Sequence, residues 1–341
     1  RGGSASSCRR GVLRATAGGL SPAMSGALLP GLLNLVASVS IILVNKQIAS
    51  VCGFHFILTL LFLNFTTTGS CLELLVRSGY LEAKHMPTRE RWKVALIAVC
   101  TVLLNNASNE ANSVGFYQIT KLLIIPTVIF VERANGTKRK YSRGIVLSLV
   151  VASVGVAIAT VSDVEVNLRG TILAFFSILT TAQYQIWQSS KQHEHGVSAM
   201  QITHTVSLPQ FVIGGIAMLI MDVLAPQLKG FLLLRNGGLL EHEFRSSADV
   251  MWILACCGIA VVMNISTYGL LGKASPVTYQ VIGQAKTCLI VGFGYAFFDA
   301  KVPATLLLIR FTGVGIAIVG ILSYGIIKNQ ESQADAAKKA G

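Results

Sequence analysis

Ten stretches of this chain run for about twenty residues with almost no charge, and that pattern limits the fold more than anything else. They cover residues 26–50, 54–76, 92–110, 112–131, 144–162, 170–188, 199–222, 250–271, 276–298 and 303–327. A helix needs roughly 17–25 mostly apolar residues to cross a bilayer. The runs are continuous, without the two-residue alternation of a membrane barrel strand, so they read as helices. Only 13% of residues are charged and mean hydropathy is +0.63, where a soluble domain carries about 25% charge. Low charge excludes disorder, and the absence of a Gly-X-Y period excludes collagen. The expected fold class is an all-α membrane protein with ten transmembrane helices. Residues 1–25 form an N-terminal extension, 26–327 the ten-helix domain and 328–341 a tail.

The net charge of +13 does not indicate nucleic acid, because the basic residues sit in short loops between apolar runs. There they report orientation. With a cytoplasmic N-terminus, one side holds Arg9, Arg10 and Arg14, then Arg77 to Lys93, Arg133 to Arg143, Lys191, Lys273, Lys328, Lys338 and Lys339. The other side holds Arg169, Lys229, Arg235, Arg245, Lys301 and Arg310. This bias places both termini in the cytoplasm and residues 223–249 on the opposite side. The seven cysteines show no C-x-x-C spacing, and they read as small apolar packing residues.

The chain contains an internal repeat. Ser113-Val-Gly-Phe-Tyr117-Gln118 opens the fourth span, and Ser275-Pro-Val-Thr-Tyr279-Gln280 opens the ninth. Val154-Gly-Val-Ala-Ile-Ala159 matches Val314-Gly-Ile-Ala-Ile-Val319 at nearly the same offset. Two such matches imply a duplicated five-helix unit, with halves at about 26–162 and 170–327. Five is odd, so the halves enter the membrane in opposite senses. Inverted repeats of this kind are a secondary-transporter architecture, with substrate held near the midplane.

Lys121 and Lys286 fall near the middle of the fourth and ninth spans. A lysine there costs roughly 2.5–3.5 kcal/mol on insertion scales and usually faces a substrate or ion path. Two ammonium groups facing one cavity repel until an anion joins them, and a phosphate or diphosphate suits such compact charges. Tyr117 shares a helix face with Lys121, and Tyr279 and Gly283 share one with Lys286. The tyrosines are candidates to stack on a base or bond a ribose, and Gly283 leaves room beside the lysine. The competing expectation is a structural pair with a buried carboxylate. Glu73 is the acid well inside a span, and one acid cannot neutralise two lysines. Gln118, Gln280, Thr287, Lys46 and Asn264 complete the candidate substrate-binding set, with Lys46 equally readable as a lysine that snorkels to the lumenal interface. Gln185 and Asn264 also read as ordinary interhelical bonds. His193-Glu-His195 reads as a solvated turn. No P-loop, G-x-S-x-G or H-E-x-x-H motif is present, so neither an enzyme nor a cofactor is expected.

With these features the sequence resembles the nucleotide-sugar/triose-phosphate translocator family of the drug/metabolite transporter superfamily, over about residues 24–328. The segments Asn112-Ser-Val-Gly-Phe-Tyr-Gln-Ile-Thr-Lys121, Gly272-Lys-Ala-Ser-Pro-Val-Thr-Tyr-Gln280 and Gly283-Gln-Ala-Lys-Thr287 are similar to those of plant UDP-xylose and UDP-rhamnose/UDP-galactose transporters. Tyr184-Gln-Ile-Trp187 and Lys191-Gln-His-Glu194 resemble solute carrier family 35. The resemblance implies a UDP-sugar/UMP antiporter working by alternating access. Its alternatives are a plastid sugar-phosphate/phosphate translocator and a non-transporting protein of the same fold. Plastid triose-phosphate translocators carry Lys-Arg in the ninth helix where this chain has Lys286-Thr287. Losing that bidentate donor disfavours a small phosphorylated triose. The G-A-L-N-K pattern of GDP-mannose carriers is missing, which disfavours guanine.

The expected partners are the bilayer, a UDP-sugar and UMP, with no nucleic acid. A homodimer and coat-protein recognition of the C-terminal dilysine Lys338-Lys339 are also admitted. Residues 1–23 are rich in Arg, Ser, Ala and Gly without an acid, as in a plastid transit peptide, and would place the chain in the inner envelope. The dilysine, and similarity that begins at Met24, favour the Golgi or ER membrane.

Overall fold

The computed structural model describes residues 22–112, 114–136, 141–160, 168–224, 238–242, 244, 246–297 and 304–340. Residues 1–21 of the transit-like segment 1–23 and most of the 223–249 connection lie outside them. The elements are α1 (Pro22–Ser50), α2 (Ile57–Arg77), α3 (Thr88–Ala111), α4 (Val114–Leu122), α5 (Ile124–Ala134), α6 (Arg143–Thr160) and α7 (Leu168–His195). They continue with α8 (Ala199–Met218), a π-helical turn over Leu219–Leu224, a 3-10 turn over Leu239–Glu241, α9 (Ser247–Lys273), α10 (Pro276–Phe297) and α11 (Ala304–Ala340). Among the described residues, six segments are both helical and apolar enough to cross a membrane: Leu29–Ala49, Ile57–Arg77, Arg143–Thr160, Ala199–Leu224, Ser247–Lys273 and Leu308–Ala334.

Helix is the only spanning structure these runs can adopt singly, because it satisfies every backbone group within the segment. Local signals set the ends. Ser198 and Gln201 form a capping box on α8, as do Ser246 and Asp249 on α9. Pro276 occupies the first position of α10, where its missing N–H costs nothing. The first turn of α2 has no side-chain cap of its own. Asp222 from the π turn supplies one, accepting from Thr59 N at 3.0 Å and Thr59 Oγ1 at 2.7 Å.

The fourth apolar stretch, read from sequence as one span, is two helices broken at Leu123. Pro126 is the cause: it has no N–H, and its ring crowds the carbonyl of Leu122.

Polarity is arranged inside out. On α1 the fully exposed side carries Leu29, Leu32, Val36 and Leu43, while Asn34, Ala37, Ser38 and Ile48 are buried. On α6 Leu147 and Val150 face outward, while Ser148, Ala152 and Gly155 are inside. In water this would be an error of patterning; in lipid it is the stable choice, since tails offer apolar surface and small residues pack helices closely.

The helices pair intimately. α1 packs along α9, α3 along α7, α2 along α8, and α6 along α11. The α6–α11 seam has no room for side chains at its crossing. A Cβ on Gly155 would strike the Ala317 backbone, one on Gly313 the Ala159 backbone, and one on Gly320 that of Ala152. A core cluster joins α5, α6, α7, α10 and α11 through Ile125, Val128, Leu149, Ile186, Val281 and Tyr324.

Candidate functional site

Lys286 lies midway along α10, eleventh of its 22 residues. Its Nζ donates to Asn34 Oδ1 and, at 2.9 Å, to Ser38 Oγ, both on α1. Asn34 is completely buried and its amide donates to Ser266 Oγ at 3.2 Å and Thr267 Oγ1 at 2.8 Å on α9. One asparagine therefore ties three helices together around a single ammonium group. All the partners are neutral. Among the described residues no carboxylate lies within 4.0 Å of Lys286 or Lys121.

Lys121 stands in the last turn of α4, just before the break at Leu123. Its side chain is exposed, with Nζ 4.2 Å from the centroid of the Tyr117 ring. Lys286 Nζ sits likewise 5.6 Å from the Tyr279 ring. Each lysine thus has a tyrosine face beside it, a cation–π arrangement.

Gly283 faces open space: a Cβ built there would meet only Gln280 Oε1, at 4.0 Å. Gln280 pairs with Gln185 of α7, donating Nε2 to Oε1 at 2.8 Å. Thr287 returns its hydroxyl to the Gly283 carbonyl at 3.2 Å. Asn264 donates to Thr68 Oγ1 on α2 at 3.0 Å. The side chains of Gln118 and Lys46 lie outside the described residues. Asn34 and Ser38 were missed in the sequence, although a polar pair inside an apolar run was visible there.

Glu73 is not the partner of either lysine. Its carboxylate takes Arg77 Nε at 2.8 Å on its own helix and His204 Nε2 at 2.8 Å on α8. His195 is not a solvated turn residue either: its Nε2 lies 2.6 Å from Glu90 Oε2 on α3. Lys191 joins the same cluster, 3.0 Å from Glu90 and 2.6 Å from Glu194. Hydrogen bonds from His195 and then Lys191 hold the Glu90 carboxyl below its ordinary range. Burial opposes the Lys191 charge, but hydrogen bonds to Glu194 and Glu90 outweigh it and raise its pKa. Glu90, Glu194 and His195 offer atoms within 4.8 Å of one another, but the Lys191 ammonium already supplies the positive charge there. Gly196 closes α7 with φ +57°, a left-handed turn suited to glycine, and its carbonyl accepts Lys84 Nζ at 3.0 Å.

Apolar helices and inside-out burial define a multi-pass membrane protein. The family model described as the Triose-phosphate Transporter family matches residues 31–325, and the chain belongs to that family. It is similar to UDP-xylose transporter 2 of Arabidopsis thaliana, 35% identical over 302 residues, covering 88% of this chain and 81% of the relative. UDP-rhamnose/UDP-galactose transporter 3 of the same plant is 33% identical, with 90% and 84% covered. A solved crystal structure 12% identical superposes with TM-score 0.62 over 87% of this chain and 97% of its own, a likeness of fold.

Proposed function

We propose that this chain is a nucleotide-sugar carrier that exchanges a UDP-sugar for UMP by alternating access in the Golgi or ER membrane. The observation that carries the reading is Lys286, a cation midway along an apolar helix held by neutral Asn34 and Ser38. Together with Lys121 it leaves uncompensated positive charge at the centre, and an anion such as a diphosphate relieves it. Tyr117 and Tyr279 supply faces for the rest of the nucleotide. The names of the similar plant transporters favour UDP as the nucleotide.

The reading has ten spans in two inverted five-helix halves, with both termini cytoplasmic. Helix pairing supports this. Exchanging the halves turns the α1–α9 pair into the α7–α3 pair and leaves α2–α8 and α6–α11 as they are. The α6–α11 seam follows the same rule, with Ala152 against Gly320, Gly155 against Ala317 and Ala159 against Gly313. The α4–α5 break beside Lys121 has the form of a discontinuous carrier helix.

Thermal unfolding of purified protein tests binding. UMP, UDP and UDP-xylose raise the melting temperature in a saturable way, as any ligand of the folded state must. GMP and inorganic phosphate raise it less. Equal shifts from all phosphates, or none, contradict a uridine-nucleotide site.

A further inference from the structure

A cavity of about 390 Å³ opens where α1 and α3 end and α2 begins, lined by Asn45, His55, Asn64, Asn106 and Asn109 with apolar walls including Phe54 and Leu60. Among the described residues that line it, the polar groups are carboxamides and one imidazole, with no lysine, arginine or carboxylate. Carboxamides each present two donors and two acceptors, which is the pattern hydroxyl groups need. The bonds formed within the protein leave much of that capacity unused. Asn106 donates Nδ2 to its own helix at Val102 O, and Asn45 and Asn64 meet the Cys256 thiol at 3.2 and 3.8 Å. The Asn109 side chain is exposed. Its volume lies in the range of small-molecule sites. Phe54 packs 5.1 Å from Phe56 and 6.0 Å from Phe244, a rigid aromatic wall suited to the apolar face of a pyranose.

A polar track joins this cavity to the lysine. Lys286 bonds Asn34, and Asn34 bonds Ser266. Two residues away Asn264 bonds Thr68, and Thr68 donates to the Asn64 backbone carbonyl one turn back at 2.7 Å. Asn34 and Asn45 lie on the same helix, so the cavity edge at Asn45 stands about 16 Å along the α1 axis from the residue that holds the lysine. We propose that this asparagine-lined cavity is the subsite for the uncharged sugar of the transported nucleotide sugar and selects which sugar is carried. The proposal rests on the nucleotide-sugar reading above, with the diphosphate nearer Lys286 and the hydroxyls reaching toward Asn64, Asn106 and Asn109.

The test compares UDP with UDP-xylose, which adds the sugar and caps the terminal phosphate, and reads how each variant changes the ratio of the two. Dissociation constants are measured for wild type, Asn64→Ala and Asn109→Ala in detergent, with circular dichroism as the check on folding. The ratio of UDP to UDP-xylose dissociation constants falls by about tenfold in at least one variant, the size expected for one lost sugar hydrogen bond. UDP affinity itself stays unchanged. Asn109 is exposed, so its truncation leaves folding intact. Equal losses for UDP and UDP-xylose would assign the cavity to the ribose and overturn the proposal. So would an unchanged ratio in both folded variants. Wild-type protein that binds neither ligand overturns the carrier reading itself, a result distinct from the other two.

Discussion

The Lys286 ammonium on α10 donates to the Asn34 carboxamide on α1, so the cation is hydrogen-bonded and not neutralised. The proposed anion-binding role of Lys286 requires that difference. A neutral partner holds the lysine in place and keeps its charge available to an incoming anion.

Asn34→Asp should therefore damage function while strengthening the empty protein. The new carboxylate becomes a counter-ion for Lys286 and competes with phosphate. UDP affinity falls, and the unliganded melting temperature holds or rises. Asn34→Leu instead leaves Ser266 and Thr267 without their donor and costs about 1–3 kcal/mol of stability. Isothermal titration and differential scanning calorimetry on the two variants separate these outcomes.

Lys286→Met removes an intramembrane charge. Its insertion cost of roughly 2.5–3.5 kcal/mol disappears, so the empty variant is no less stable than wild type. Stabilisation by UMP is lost. A variant that misfolds or melts far earlier would mean that Lys286 balances a buried acid, and breaking such a pair costs about 3–5 kcal/mol.

The α6–α11 seam gives a prediction independent of substrate. Gly155→Ala and Gly320→Ala each place a methyl group on backbone atoms of the facing helix, and overpacking of this kind costs about 1–3 kcal/mol. Gly315→Ala, next to the seam with nothing within 4 Å of the new Cβ, is the control and leaves the melting temperature in place. Equal effects at all three glycines would contradict the packing.

The Glu90 cluster predicts an acid limb. Its folded pKa is depressed by His195 and Lys191, so its contribution is present above the ordinary carboxylate range and is lost as pH falls through the lowered value. Lys191 has the opposite sign: its pKa is raised, so its share is present at neutral pH and fades only above the ordinary lysine range. Melting temperature followed from about pH 6 to about pH 3 drops more steeply in wild type than in Glu90→Gln. Parallel curves would show that the α3–α7 contact contributes nothing through this carboxylate.

The helices were legible in the sequence because lipid removes alternatives: an apolar run of that length has to be helical. Lys121 and Lys286 were legible for a related reason, as charges interrupting such runs. The break at Leu123 was written in Pro126 but masked by the apolar residues on either side. Asn34 was harder to read. Its importance comes from Ser266, Thr267 and Lys286, all more than 200 residues away, and pairing across helices has no local signature. Glu73 misled for the same reason, because its partner His204 sits on another helix.

Counter-transport in liposomes measures the proposed exchange itself. Purified protein is reconstituted into liposomes loaded with UMP, and uptake of radiolabelled UDP-xylose, UDP-galactose and UDP-rhamnose is followed. Uptake of at least one UDP-sugar is saturable, depends on internal UMP, vanishes in Lys286→Met and is absent from empty liposomes. Folded wild-type protein that exchanges none of these sugars for UMP would contradict the proposed exchange.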